Sequence, residues 1–386
     1  MAISSERLEE LAGKILQIYS DAEQILMRRV AKRVTKGITE PGWTEAKYSE
    51  MAAVRREMAE FVGRLGNERR ELQEEFLEEA YEEGQSQMIS DARRYANIAG
   101  IEHMTPNAVK VVNIMSELDG GMTAADRRIL RSVDDAYASI VGRTSALVAS
   151  GTITARDAVK RELDDFAKAG INSFTDRAGR VWDMGTYAEM ATLTAIERAS
   201  REGYMGQARE FGYDLVMISD HYGACPICEA WQGVVVSIDG KTPGYLTLAD
   251  AEAAGVFHPR CMHDYSVYYE GISKEGKQRP EPVKEPNAGY TARSQQRYYE
   301  RQQRQWKRRM AVATTPQEER DAFTRVRMYQ QKIRDLCDSY NAVTPQSVDY
   351  LPRKYWREGG RAPKLSNAAS KLRSKPVKSR QRAASA

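Results

Sequence analysis

Four cysteines and four histidines are all that 386 residues hold of those types, and no run approaches the roughly 20 apolar residues needed to cross a bilayer. A membrane partner is therefore not expected. Residues 1–14 lack the charged, apolar and small-residue succession of a secretory signal, so synthesis in a cytoplasm is expected, where thiols stay reduced. Catalytic signatures are missing too. There is no Walker A loop, no Gly-x-Ser-x-Gly, no His-Glu-x-x-His and no dinucleotide-binding glycine pattern after a strand, which weighs against an enzyme.

What is present is charge and helical periodicity. Lys and Arg number 58 against 54 Asp and Glu, a net charge of +4, but the two signs are separated along the chain. Glu dominates residues 68–83, whereas residues 353–386 are basic among Ser, Ala, Pro and Gly, a composition that predicts a disordered tail. Within it Lys371, Arg373, Lys375, Lys378, Arg380 and Arg382 are the candidate contacts to the phosphates of a polyanion such as double-stranded DNA.

Leu8, Leu11, Ile15, Ile18, Ala22 and Ile25 fall at steps of three and four, which predicts a helix ending near Gly37. Met51, Val54, Met58, Phe61 and Leu65 repeat the spacing, and the acidic stretch through Leu72, Phe76 and Leu77 either extends that helix or restarts it after Gly66. Such seams form an internal core more often than a surface for partner subunits. Further helices are predicted over 106–118, 123–149 and 154–169, a short hairpin over 172–182, a helix over 184–203 and a strand over 214–219. Two charged helices are expected over 291–312 and 316–340. The first carries Arg297, Arg301, Arg304, Lys307, Arg308 and Arg309 with Tyr298, Tyr299 and Trp306, a pattern that suits either phosphate contact or a solvated helix whose aromatics pack inward. The domain division that follows is 1–169 helical, 170–271 a Cys/His module, 272–290 a linker, 291–345 helical and 346–386 the basic tail.

Three of the four cysteines and three of the four histidines crowd into one window: His221, Cys225, Cys228, His258, Cys261 and His263. Cys-x-x-Cys followed by His-x-x-Cys supplies two converging donor pairs, the arrangement that closes a tetrahedral Zn²⁺ shell. The preferred ligands are Cys225, Cys228, His258 and Cys261, with His263 the alternative imidazole and His221 a weaker one. Four donors fill the shell, which favours a structural ion over a catalytic one. Cys337, alone on a helix, reads as a small buried residue.

The block from Gly170 to Tyr269 carries Phe174-Thr-Asp-Arg-Ala-Gly-Arg-Val-Trp182, Ser219-Asp-His221, Cys225-Pro-Ile-Cys228, Trp231-Gln-Gly233 and Phe257-His-Pro-Arg-Cys-Met-His263. In that ordered combination it resembles the minor capsid proteins of tailed bacteriophages known as phage minor capsid protein 2, related to the Mu F-like and SPP1 gp7-like head-morphogenesis proteins. The likeness covers about half of the chain, extending more loosely into Ser294 to Arg309. It implies a non-enzymatic, low-copy virion protein of a tailed phage or prophage, assembled in the host bacterial cytoplasm into the phage head. It further implies a place near the portal or inner capsid, a role in head assembly and in DNA packaging or ejection, and oligomeric association with portal protein, major capsid protein or both. Family members vary in the last ligand position, so the choice between His258 and His263 stays open.

The fold class expected is mainly α: long N-terminal helices, a small zinc-stapled α+β module, and C-terminal helices with a basic tail. Two other functions compete with the capsid reading. One is a zinc-containing nucleic-acid-binding protein; the other is a metal-dependent nuclease with His221 or His263 as the base.

Overall fold

The structure is a computed structural model, and it describes residues 5–96, 108–175, 179–220 and 223–343. The basic tail and His221 lie outside the described residues. The fold is mainly helical with a small sheet. Its body is built from α1 (Ser5–Thr35), α2 (Trp43–Tyr95), α3 (Ala108–Ala149), α4 (Ala155–Ala169) and α5 (Met184–Glu210). At 53 residues α2 runs about 80 Å, far longer than any single core needs, and it serves two.

The first core follows the amphipathic seams. On α1 the buried line is Leu11, Ile15, Tyr19, Ala22 and Leu26, all at most 3 % exposed. Ile18 and Ile25 flank it half-buried, because a 3.6-residue turn drifts away from a strict 3.5 spacing over several turns. Val54, Met58, Leu65, Phe76 and Leu77 of α2 meet Met122, Ile129, Val133 and Tyr137 of α3 in the same core. These seams are therefore interior packing. Where the sequence predicts two helices across 106–149, the chain makes one: α3 passes through Gly120 and Gly121 unbroken. Two interior glycines cost a helix about 2 kcal/mol together, less than burying Leu118, Met122 and Ala125 on either side returns.

Polar residues cross this core as a connected set. The Arg69 guanidinium donates to Gln73 Oε1 at 2.7 Å and to Asp119 Oδ1 at 2.9 Å, and the Tyr19 hydroxyl donates to Asp126 Oδ1 at 3.0 Å. Gln73 in turn donates to Thr192 of α5. Such partners are what allow an arginine side chain to sit 1 % exposed.

A two-stranded ribbon, β1 (Asn172–Thr175) with β2 (Val181–Asp183), joins α4 to α5 at the predicted hairpin. Asp183 caps α5 by accepting from the Thr186 N–H at 2.8 Å. α5 then crosses α2 at two facing glycines, Gly84 and Gly203. A Cβ on either would overlap the other helix's main chain, at the Ser200 and Tyr81 carbonyls respectively. Only glycine permits so close an approach.

Beyond the crossing, the ends of α2 and α5 enter a second core. Met88, Ala92, Tyr204, Met205 and Ala208 pack there against β3 (Leu215–Ile218), β4 (Val235–Ser237) and β6 (Tyr265–Val267). The four-stranded sheet has the order β5-β4-β3-β6, with β3 antiparallel to both neighbours and β5 (Leu246–Thr247) parallel to β4. Two short helices, α6 (Pro226–Ala230) and α7 (Leu248–Ala253), complete the module. The chain then returns through an irregular stretch to the hairpin of α8 (Ala288–Ala311) and α9 (Pro316–Val343), where Cys337 is fully buried beside Ile333.

Both readings of α8 from its sequence expect exposed cations, and Arg297 and Arg301 are exposed, but three others are not. Arg304, Lys307 and Arg308 are buried against the body, while Tyr298 is 44 % exposed. Arg308 donates through Nε to the Ala167 carbonyl at 2.9 Å and pairs with Glu23 Oε2 at 3.5 Å; Glu23 Oε1 also accepts from the Ile171 N–H at 3.0 Å. Burial raises the Glu23 carboxyl above its ordinary value despite Arg308. Burial would raise Asp183 too, but Arg304, Arg308 and the Thr186 N–H outweigh it and hold that carboxyl low. No helix among the described residues is long and apolar enough to cross a membrane.

Candidate metal centre

Each half of the Cys/His window is a tight turn set by local sequence. Gly223, at φ 82°, turns the chain out of β3, and Cys225 follows as the residue capping α6, with Pro226 at the first helical position. The Glu229 N–H donates to the Cys225 carbonyl at 2.9 Å, which puts Cys225 and Cys228 on the same side of one turn. The second half leaves α7 through Gly255 and closes with the Cys261 N–H donating to the His258 carbonyl at 2.8 Å. Phe257 and Arg260 adopt positive φ there (57° and 66°), a conformation that side chains other than glycine rarely take.

The sheet brings the two turns together. β3 precedes the first and β6 follows the second, and they pair directly, so their ends deliver both turns to the same edge. The Ser219 N–H donates to the Asp264 carbonyl at 2.8 Å, and the Asp264 N–H to Ser219 Oγ at 3.0 Å. Cys228 and Cys261 are 1 % and 2 % exposed, and His263 is 3 % exposed; Cys225 and His258 are half-buried nearer the surface.

Five of the predicted donors thus meet as two groups of three that share Cys228: Cys225, Cys228 and His258, and Cys228, Cys261 and His263. Within each group the ligand atoms lie within 4.8 Å of one another. Cys228 Sγ is 3.6 Å from Cys261 Sγ, Cys225 Sγ is 3.1 Å from His258 Nε2, and Cys261 Sγ is 3.5 Å from His263 Nδ1. A tetrahedral shell with zinc–ligand bond lengths has edges of about 3.8 Å between sulfurs and about 3.6 Å between sulfur and nitrogen. Most of these separations fit such a shell, and the donors are the soft thiolate and imidazole types that it takes.

Electrostatics push the same way. Hydrogen bonding with Cys228, and secondarily with His258, holds the Cys225 thiol down at about 3. Cys261 is brought down to about 4, by Cys228 first and His263 after burial's opposing effect. Cys228, between the two, is pushed up by both. The Cys225 sulfur raises His258 to about 9. A cluster that gathers this much negative charge on sulfur is suited to hold a cation.

The two imidazoles differ in what fixes them. His258 Nδ1 donates to the Pro259 carbonyl at 3.0 Å, leaving Nε2 to face the Cys225 sulfur and share a proton with it. His263 Nε2 lies 2.9 Å from the Gln232 side-chain nitrogen, which donates to it, so that its proton sits on Nδ1 toward Cys261.

Three residues of the surroundings were not legible as site residues. Gln232 belongs to the Trp231-Gln-Gly233 motif, yet only the fold shows it against His263. Arg201 and Glu197 come from α5, one helical turn apart and remote in sequence. The Arg201 guanidinium donates to the His263 carbonyl at 3.2 Å and stacks on the Phe257 ring at 4.8 Å. Burial would discourage its charge, but Glu197, Tyr265 and Asp264 raise its pKa above the usual value. Glu197, 5 % exposed, is pushed well up by burial. A Glu-x-x-x-Arg spacing on one helix is the only signal the sequence offers, and it is common on solvated helices.

Comparison with known proteins places these features in a family context. The family model described as phage minor capsid protein 2 matches residues 3–338. A structural protein of Lactococcus phage LL-H is 28% identical over 239 residues, covering 58% of this chain and 61% of that protein. The chain thus spans about three fifths of that relative's length. A structural protein of Lactococcus phage mv4 is 32% identical over 122 residues, covering 30% of this chain and 92% of that one. No solved structure matches the chain.

Proposed function

This chain belongs to the phage minor capsid protein 2 family, a component of the virion, and from that membership we propose that it is a low-copy structural protein of the head, seated near the portal or inner capsid and incorporated during head assembly. The observation that carries this reading is the family match over residues 3–338, which takes in the helical body, the Cys/His module and the α8–α9 hairpin together. In this role the helices act as a rigid strut, the module as a stapled end, and the basic residues Lys371, Arg373, Lys375, Lys378, Arg380 and Arg382 as contacts to packaged double-stranded DNA. Portal and major capsid proteins are its partners in assembly. The test is co-purification of the full chain with portal or major capsid protein from infected cells and from mature heads. Recovery of the chain in neither fraction would overturn the assignment.

The module's ion is zinc in this proposal, held by Cys225, Cys228, His258 and Cys261. When bound, the ion supplies cross-linking of two turns that the short strands hold only weakly. Support for His258 over His263 comes from the fixed Nδ1 proton of His258, which leaves Nε2 as the coordinating nitrogen. A structural role is supported further by the burial of His263, which is 3 % exposed and engaged with Gln232. Elemental analysis of purified protein should find close to one equivalent of zinc. His258→Ala should lower it well below one, and His263→Ala should change it little; the reverse order would transfer the ligand role to His263.

A further inference from the structure

The α8–α9 hairpin is held at both ends, and by different means. Where α8 passes into α9 the anchors belong to the body: Val312 is part of the first core, Arg308 pairs with Glu23, Arg309 pairs with Asp164 at 2.8 Å, and Lys160 reaches Glu318 of α9 at 2.6 Å. The opposite end shares neither main core. There Ile333 and Cys337 of α9, with Leu336 and Tyr340 and with Ala292 and Tyr299 of α8 around them, form a small apolar cluster of their own. Two fully buried side chains contribute little area, so the contacts at the N-terminus of α8 decide how firmly that end is seated.

Those contacts converge on the Cys225–Cys228 turn. Asn287 caps α8 by accepting from the Tyr290 N–H at 2.9 Å, and its amide nitrogen donates to the Ala224 carbonyl at 3.0 Å and to Glu229 Oε2 at 2.8 Å. One side chain thus holds the residue before Cys225 and the residue after Cys228. Two positions on, Gly289 lies against Gly223 at the start of the same turn: a Cβ there would stand 2.7 Å from Gly223 Cα and 2.8 Å from the Tyr340 hydroxyl of α9. Ahead of the helix, the Glu281 N–H donates to the Ala230 carbonyl at the end of α6 at 2.9 Å. The space around the five donors, a cavity of about 110 Å³, is also lined by α8: Tyr290, Arg293 and Arg297 reach it from there, and Arg260 from the second turn.

We propose, on the footing of the zinc reading above, that the Cys225–Cys228 turn is a metal-dependent seat for the α8–α9 hairpin. With the ion in place the turn keeps the shape that Asn287 and Gly289 fit. Without it the N-terminal half of α8 and the C-terminal half of α9 leave the seat, while the other end of the hairpin stays fixed to the body. The physical reason lies in α6, which at five residues is too short to keep its own form and depends on what its flanking donors are tied to. Residues 344–386 continue from the end of α9, so the seat also sets the point from which the basic tail departs.

Hydrogen exchange on the full chain, zinc-loaded and after chelation, with zinc measured in parallel, tests this. Chelation should speed exchange about tenfold or more over residues 292–299 and 333–340 and leave 303–311 and 320–326 within about twofold. Asn287→Ser keeps an oxygen to cap α8 but has no amide to hold the turn; it should speed exchange in the same two segments with zinc content unchanged. Gly289→Ala, whose methyl meets Gly223 and Tyr340, should do so by a different route and with the cap intact. Zinc released with both segments unchanged would overturn the seat and leave the zinc reading standing, as would exchange that rises equally along the whole of α8 and α9. A chain that takes up no zinc would overturn the zinc reading first and the seat with it.

Discussion

In the helical body one line of side chains, from Leu11 to Leu26, runs buried along most of a helix, whereas each strand of the Cys/His module holds only two to four residues. A helix of 31 or 53 residues carries enough apolar stripe to define its own packing. Strands of that length do not, and the module's core borrows Met88, Ala92 and Tyr204 from α2 and α5 to fill itself. Two regions of one chain therefore solve the same problem differently. The body relies on area and on buried polar pairs, and the module on borrowed helix ends and on a cluster of sulfur and imidazole donors.

Removing the proposed zinc should separate the two most clearly. Chelation, or Cys228→Ser, should melt the module with a loss that approaches about 10 kcal/mol, the scale of structural zinc sites, while the helical signal of the body persists. Circular dichroism with parallel metal analysis would see this as loss of zinc with most helix retained. A single transition in which helix and metal vanish together would instead make the body dependent on the module.

The converse variant attacks the body. Arg308→Met strands the buried Glu23 carboxylate and should cost about 3–5 kcal/mol in urea unfolding, with zinc content unaltered. Joining Glu23→Gln to it should recover a good part of the loss, because the remaining groups are neutral. Equal instability of the single and double variants would show that Arg308 acts by packing its stem rather than by its charge.

Gly84→Ala tests the crossing that ties the two regions. The added methyl meets the Ser200 carbonyl, and helices α2 and α5 must separate at a cost of about 1–3 kcal/mol. Since both helices feed both cores, hydrogen exchange should quicken in Met88 and Ala92 as well as in Phe76 and Leu77. Protection lost in one region alone would mean that the cores are less coupled than their shared helices suggest.

The smallest effect is a pH dependence confined to the body. The Asp183 carboxyl is held below its unfolded value, so its contribution is fully present above that value and is lost as pH falls through the lower, folded one. Between about pH 5 and pH 3 the wild-type chain should therefore lose more stability than Asp183→Asn, which keeps the helix cap but not the charge. Parallel curves for the two would remove Asp183 from the account of acid sensitivity.

Much of this was legible in the residues, and where it was not the reasons are physical. Helical seams and the paired Cys/His turns are written in local spacing, so α1, α2 and the donor clusters stand where spacing puts them. The continuity of α3 was not legible, because glycine propensity is a local cost and the packing that outweighs it is not local. The buried cations of α8 were misread for a related cause: Arg304 and Arg308 look like surface charge until Glu23 and Asp183, more than a hundred residues away, are brought beside them.

The sequence by itself determined that the chain would be helical, that its thiols and imidazoles would gather in one window, and what family it resembles. Tertiary structure alone decided that Gly84 must face Gly203, that Arg201 and Gln232 would support His263, and that three arginines from α8 and the His258–Cys261 turn would line one cavity. Local spacing fixes which face of a segment a residue occupies, but only packing between segments fixes what that face meets.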